Sequence, residues 1–103
     1  MTYKRLAALE QLLGSYFHQD WTDEFGSNTS ALQSIVESEP KEQLAAGVDE
    51  IDALLAASLP EGDLETILTD QVGCYFDPSS DGITYAQWLT RVRQKFVAAL
   101  LER

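Results

Sequence analysis

Two residue types in this chain could form a nucleophilic active site, and each of them occurs once. His18 is the only histidine and Cys74 the only cysteine among the 103 residues. An imidazole beside a thiol can act as the base that activates it. Cys74, however, lies between Gly73 and the aromatic pair Tyr75 and Phe76, a setting typical of a buried and unreactive thiol. We therefore predict that the protein is not an enzyme and has no catalytic residue.

The neighbourhood of His18 leaves its role open. It lies in the stretch "LLGSYFHQDW", residues 12–21, at the end of a predicted helix and close to Asp20. A histidine in this position commonly fixes a turn, and its charge favours a helix C-terminus. Direct contact with a partner is the alternative. A small hydrolase built around His18 and Asp20 is a further hypothesis, which would require His18 to lie at an open pocket.

The stretch "DPSSDG", residues 77–82, has part of the pattern of a calcium-binding loop. Asp77, Ser79, Asp81 and Gly82 match loop positions one, three, five and six. Position twelve, which needs a bidentate glutamate, is Trp88. The same residues are typical of a turn that leads into a helix, and we predict such a turn. We predict no metal and no cofactor, because zinc spacings and glycine-rich phosphate loops are also missing from the sequence.

Charge is distributed unevenly along the chain. The formal net charge is −10, yet residues 20–81 contain fifteen acidic residues and a single base, Lys41. Such a segment repels nucleic acid and anionic membranes and attracts a basic protein. The predicted partner-binding residues are therefore acidic: Asp20, Asp23, Glu24, Asp49, Asp52, Asp77 and Asp81. The spacing of Asp49 and Asp52 predicts that both lie on one side of a helix.

Helical periodicity runs through nearly the whole sequence. Leucine and aromatic residues recur at helical spacing over residues 3–17, "SNTS" at 27–30 offers N-caps for a second helix, and Pro40 suits the start of a third. Ser58 and Glu61 fit a capping box for a fourth helix, and Thr84 and Gln87 fit one for a fifth. We predict an all-α bundle of about five helices, with a short strand or extended segment near 72–76.

The length and composition agree with this fold. The chain of 103 residues is read as one domain, residues 1–103, with 45% hydrophobic residues. It has no apolar run long enough for a membrane span or a signal peptide, and a lone cysteine suits a reducing compartment. We therefore expect an unprocessed cytoplasmic protein.

Two stretches of the sequence together resemble a known family. These are "LLGSYFHQDW" at residues 12–21 and "GCYFDPSSDGITYAQWL" at residues 73–89. They are similar to the immunity proteins of bacterial contact-dependent growth inhibition systems, the CdiI family, and in particular to members whose first helix runs into Tyr-x-His-Gln-Asp. The matching positions are Tyr16, His18, Gln19, Asp20, Tyr75, Asp77, Pro78, Asp81, Gly82, Tyr85 and Trp88.

The resemblance implies a protein that binds the C-terminal toxin domain of an effector and blocks it without catalysis. Many such toxins are nucleases, whose basic substrate-binding surfaces suit an acidic inhibitor. Residues shared across the family are expected to be structural, since toxins differ, and these are Tyr16, His18, Gln19, Tyr85 and Trp88. Specificity is expected to lie in the variable acidic residues. The alternative function is an acidic helical adaptor or regulatory module unrelated to toxin immunity.

Overall fold

The computed structural model describes residues 5–102, and within this range the chain forms six helices and no strand. The segments are Ala7–Leu9 and Glu10–Gly14 (α1), Trp21–Phe25 (α2), Asn28–Ser38 (α3), Lys41–Ala56 (α4), Glu61–Thr66 and Ile67–Val72 (α5), Pro78–Asp81 (a 3-10 turn) and Tyr85–Leu101 (α6). The first segment of α1 and of α5 is α-helical and the second is π-helical. The predicted all-α fold is confirmed, with α2 as an additional short helix.

The first helix is shorter than the predicted span of residues 3–17. Residues 3 and 4 lie outside the described residues, and the helix ends at Gly14 in a π-helical segment. A Cβ atom on Gly14 would lie 2.3 Å from the carbonyl oxygen of Val72. Only glycine therefore allows this turn of α1 to approach the backbone at the end of α5 so closely.

The stretch near 72–76 is extended and does not form a strand within the described part of the chain. Gly73 ends α5 in the left-handed region at φ +83°. The Cys74 N–H then donates to the Leu68 carbonyl at 2.8 Å, and the Tyr75 N–H donates to the Phe17 carbonyl at 2.8 Å. Cys74 and Phe76 are buried while Tyr75 between them is exposed, as expected where successive side chains point to opposite sides.

Capping explains where two of the helices begin. The Thr84 hydroxyl accepts from the Gln87 N–H and the Gln87 side chain accepts from the Thr84 N–H, so the predicted capping box is confirmed. The Ser27 hydroxyl caps α3 by accepting from the Ser30 N–H at 3.1 Å. These contacts satisfy amides that have no partner inside the helix.

The predicted capping box of Ser58 and Glu61 is wrong. Ser58 has φ 53°, and α5 begins after Pro60 without a side-chain cap. The Glu61 carboxylate instead accepts from the Tyr85 N–H at 2.7 Å and the Ala86 N–H at 3.1 Å. Glu61 thus caps α6, a helix 24 positions away in sequence, rather than its own helix.

The core lies between α4 and α6, and α1 packs against α4. Gly47 of α4 provides room for this contact, because a Cβ there would lie 2.6 Å from Leu12 Cδ1. The fully buried large side chains include Leu12, Ile51, Leu54, Trp88 and Phe96. None of the helices within residues 5–102 combines the length and apolarity that a membrane span requires.

Candidate protein-binding surface

An aromatic cluster joins the two distinctive stretches of the sequence beneath the surface. The ring of Trp88 lies 5.3 Å from that of Phe17 and 4.8 Å from that of Phe76, measured between centroids. Trp21 packs edge-on against both phenylalanines, at 5.2 and 5.6 Å. Trp88 is only 1% exposed, so this cluster forms a rigid base beneath the exposed side chains of the two stretches.

The first of these stretches forms a surface corner, which we define as residues 16–25. Tyr16 stacks on Phe25 with ring centroids 5.9 Å apart, and its hydroxyl donates to Glu39 Oε2 at 2.9 Å. Burial, together with the nearby Glu39 carboxylate, raises the pKa of Tyr16. The phenol therefore stays neutral and remains a donor to Glu39.

His18 closes the turn of the corner with both of its ring nitrogens. Nε2 lies 2.7 Å from Glu24 Oε1, and Nδ1 accepts from the Asp20 N–H at 3.1 Å. These partners fit the neutral tautomer that carries its proton on Nε2. His18 is half-buried and Gln19 beside it is exposed. Both ring nitrogens of His18 are bonded to residues of the corner, so neither is available to activate the Cys74 thiol.

Cys74 has the environment predicted from its neighbours. It is fully buried, and burial raises the pKa of its thiol to about 12. A thiol with this pKa remains protonated at neutral pH and is a poor nucleophile. Within residues 5–102, no three side chains of the types that bind metals come close enough to hold an ion. Asp77 instead accepts from the Ser79 N–H and hydroxyl, at 3.0 and 2.8 Å, which is the predicted turn.

All seven predicted partner-binding acids are exposed, but they differ in their internal partners. Glu24 binds His18, Asp52 forms an ion pair with Arg93 at 2.5 Å, and Asp81 accepts from Asn28 Nδ2 at 3.0 Å. The side chains of Asp20, Asp23 and Asp49 make no hydrogen bond or ion pair within the described residues. Asp77 uses only its Oδ1 oxygen.

The structure also shows a groove that the sequence did not indicate, between α5 and the start of α6. We define it by Glu61, Glu65, Asp77 and Tyr85, and its volume is about 330 Å³. Tyr85 is 8% exposed, and burial and the neighbouring carboxylates of Glu65 and Asp77 raise its pKa to about 12. Glu61 and Glu65 are four residues apart on one helix, and this spacing was the only feature of the sequence that could have placed them on the same face. Their meeting with Asp77 depends on tertiary packing.

A second depression lies at the other end of α6 and has a different character. It measures about 280 Å³ and is lined by both acidic and basic side chains of α3, α4 and α6. Its two lysines have internal partners, since Lys41 Nζ donates to the Leu100 carbonyl at 3.3 Å and Lys95 Nζ to Gln33 Oε1 at 2.6 Å. This depression therefore has charges of both signs, whereas the charged side chains that line the groove are all acidic.

Comparison with known proteins gives two positive results. The family model described as CdiI immunity protein matches residues 5–96. A chain in the crystal structure of a CdiA-CT/CdiI complex from Y. kristensenii 33638 is similar to this chain, with a TM-score of 0.80 and 30% sequence identity, over 86% of this chain and 95% of that one. Among curated proteins there is no match to this chain.

Proposed function

Because the chain belongs to the CdiI immunity protein family, we propose that it binds the C-terminal toxin domain of a CdiA effector and neutralises it in a stoichiometric complex. The observation that carries the proposal is the family match over residues 5–96. It is supported by a 30% identical chain of known structure that comes from a CdiA-CT/CdiI complex. Neutralisation by binding requires no catalytic group, and proteins of this family are inhibitors rather than enzymes.

We further propose that the toxin is a nuclease and that inhibition takes place in the cytoplasm. A nuclease needs a basic surface to hold the phosphates of its substrate. This chain has a net charge of −10, and its acidic side chains are mostly exposed. Exposed carboxylates can occupy the positions that phosphates would take, so electrostatic complementarity favours a basic toxin over a neutral one.

Among the predicted acids, those without a partner in residues 5–102 are the best placed to attract the toxin. Asp20, Asp23 and Asp49 can pair with incoming cations without losing a bond to any described residue. Glu24, Asp52 and Asp81 contribute charge while being held by His18, Arg93 and Asn28. Charges at the edge of a contact mainly raise the association rate, and salt screens this effect.

Protection of cells tests the proposal directly. The toxin domain encoded by the neighbouring upstream reading frame would be expressed with and without this chain. We expect growth arrest by the toxin alone, growth in the presence of both, and co-purification in a one-to-one ratio. Growth arrest that persists despite soluble expression of this chain would refute the proposal. Binding to a non-toxic partner instead would favour the adaptor function.

Charge reversal tests the contribution of the acidic side chains. Asp23→Lys and Asp49→Lys would be compared with Glu42→Lys, an exposed acid of α4 outside the predicted set. Asp52 is left intact because its reversal would break the ion pair with Arg93. At least one of the first two variants should associate with the toxin several-fold more slowly than the control at low salt, with the difference shrinking at high salt. Equal rates for all three variants would show that these acids do not steer binding.

A further inference from the structure

We propose that the groove of Glu61, Glu65, Asp77 and Tyr85 binds a single lysine or arginine side chain of the toxin domain. The inference rests on the proposed function and deepens it, since it names the chemistry of one contact. Two of its residues, Glu61 and Glu65, are outside the acids predicted from the sequence.

Two of the three carboxylates that line the groove are held in place by hydrogen bonds. Glu61 binds the first amides of α6, at 2.7 and 3.1 Å, so this wall is fixed to the helix it caps. Asp77 is fixed by the Ser79 N–H and hydroxyl through Oδ1, and Oδ2 makes no hydrogen bond within the described residues. The Glu65 carboxylate has no hydrogen bond or ion pair in the same range. Asp77 therefore offers a fixed acceptor oxygen and Glu65 a carboxylate that is unbonded within the described residues. Glu61 adds negative charge, although both of its oxygens are bonded.

Tyr85 points independently to a ligand. Its side chain is 8% exposed, yet its hydroxyl makes no hydrogen bond to any described residue. No fully buried polar side-chain atom in residues 5–102 lacks a partner, so the hydroxyl must reach the open groove that Tyr85 lines. Burial and the surrounding carboxylates raise the pKa of Tyr85 to about 12, which keeps the hydroxyl neutral. A neutral hydroxyl oxygen can accept from an N–H donor.

The groove favours an organic cation over a metal ion. No three carboxylates within residues 5–102, those of the groove included, form a cluster that could hold a metal ion. An ammonium group has three N–H donors and a guanidinium five, so either can reach several acceptors placed around it. The volume of about 330 Å³ is at the small end of ligand pockets, and its lining combines three carboxylates with the apolar surface of Ile83 and Tyr85, which suits the aliphatic stem and charged end of a basic side chain. One extended basic side chain satisfies these requirements.

Tyr75 adds an aromatic side chain on the same side of the extended segment as Asp77. It is 59% exposed, whereas Cys74 and Phe76 on the opposite side are buried. Exposed tyrosines are enriched at the energetic centres of protein interfaces, and an arginine can stack on their rings. This position extends the candidate contact beyond the groove.

The affinity of conservative variants tests the inference. Glu65→Gln and Tyr85→Phe each remove one feature of the groove while preserving shape, and Glu42→Gln is the matched control. Glu42 is next to Lys41, which binds the Leu100 carbonyl at the end of α6. Tyr85 is at the start of α6, so Glu42 is about 20 Å from the groove at about 1.5 Å per helical residue. Binding of the upstream-encoded toxin domain would be measured by calorimetry. We expect losses of about tenfold or more for Glu65→Gln and a smaller but clear loss for Tyr85→Phe, with the control within about twofold of the parent.

A double-mutant cycle then identifies the cation. Each lysine and arginine of the toxin domain would be replaced by alanine and tested against the parent and against Glu65→Gln. One toxin variant should bind the parent more weakly than the unmodified toxin does. The same variant should bind Glu65→Gln with the same affinity as the unmodified toxin does. If the parent binds the toxin but neither groove variant weakens binding, or no toxin cation couples to Glu65, the groove inference is wrong while the proposed function stands. If the parent itself does not bind the toxin, both fail.

Discussion

The corner at residues 16–25 and the groove differ in how their polar groups are satisfied. In the corner, Tyr16 donates to Glu39, and His18 contacts Glu24 and the Asp20 amide. In the groove, Glu65 and the Tyr85 hydroxyl have no hydrogen-bond partner among residues 5–102. Both regions adjoin the same aromatic cluster, because Phe17 belongs to the corner and Phe76 directly precedes Asp77 of the groove, and both rings pack against Trp88.

Whether a polar side chain already has a hydrogen-bond partner distinguishes structural from binding roles better than its residue type does. Histidine and tyrosine are common in binding sites, yet in the corner they complete hydrogen bonds that hold the local fold. The groove contains ordinary acidic residues, but Glu65 and the Oδ2 oxygen of Asp77 make no hydrogen bond to any described residue. A cation can bind there without breaking a bond to the described part of the protein. We therefore expect substitutions of Tyr16 and His18 in the corner to change stability, and substitutions of Glu65 and Tyr85 in the groove to change affinity. Asp20 and Asp23 on the surface of the corner are expected to act on the association rate alone.

Removing Trp88 should have the largest effect, because it supports both regions. Trp88→Ala should lower the free energy of unfolding by about 3–5 kcal/mol, through loss of buried contacts and the cavity left behind. Chemical denaturation would measure this loss, and Trp88→Phe should lose less because a ring remains beside Phe17 and Phe76. A loss below about 1 kcal/mol for Trp88→Ala would show that the cluster does not support the two regions.

Alkaline pH should destabilise the protein through Cys74, at the start of the extended segment. Its thiol pKa is raised from 9.0 to about 12 in the folded state, so the folded state holds the proton more tightly than the unfolded state does. The resulting stabilisation is complete below pH 9 and is lost as the pH rises towards 12. The slope from this group should not exceed about 1.4 kcal/mol per pH unit.

Denaturation of the parent and Cys74→Ala at several pH values measures this contribution. The variant should be less stable at neutral pH because a buried side chain is shortened, but its stability should fall less steeply above pH 9. Tyr85 also contributes to the alkaline fall, since its pKa is raised from 10.0 to about 12, and Tyr85→Phe isolates its share. Identical slopes for the parent and Cys74→Ala would contradict a thiol buried in the folded state.

A smaller loss is expected at Gly14, where the end of α1 touches the end of α5. Gly14→Ala places a Cβ 2.3 Å from the Val72 carbonyl oxygen, so the backbone has to move. We expect destabilisation of about 1–3 kcal/mol. Gly62→Ala is the control, because its Cβ would meet nothing within 4 Å and alanine favours the helix. Thermal unfolding of the two variants should move in opposite directions, and equal transition temperatures would exclude the close approach.

The smallest effect should follow replacement of His18. His18→Ala removes an exposed contact to Glu24 and an acceptor for the Asp20 amide, so we expect a loss of about 0.5–1.5 kcal/mol. Protection against the toxin should persist at temperatures where the variant is folded. A variant as stable as the parent that no longer protects would instead place His18 in the toxin interface.

Local signals in the sequence predicted the parts of the fold that local contacts determine. The capping box of Thr84 and Gln87 forms within four residues, and the buried stripe of α6 follows its periodicity. The same pattern at Ser58 and Glu61 failed, because Glu61 binds amides 24 positions further along the chain. A capping residue cannot be recognised from a local sequence pattern when the helix that it caps is far away in the sequence.

The candidate site was predicted in composition but not in arrangement. Acidic residues were expected to bind, and all seven are exposed. The pattern could not show that Glu24 and Asp52 have internal partners, or that α5 brings Glu61 and Glu65 beside Asp77 and Tyr85. These relations depend on the crossing of helices, which includes the close approach at Gly14. The π-helical ends of α1 and α5 contact each other, and no local pattern in the sequence predicted either of them.

Hydrogen exchange of the protein with and without its toxin domain tests the separation of corner and groove most directly. Amides become protected where a partner covers exposed backbone, and mass spectrometry of peptides locates them. We predict that the toxin slows exchange in the 3-10 turn Pro78–Asp81 and in the first turn of α5, and leaves residues 16–25 nearly unchanged. Protection confined to residues 16–25, with none beside the groove, would contradict the account.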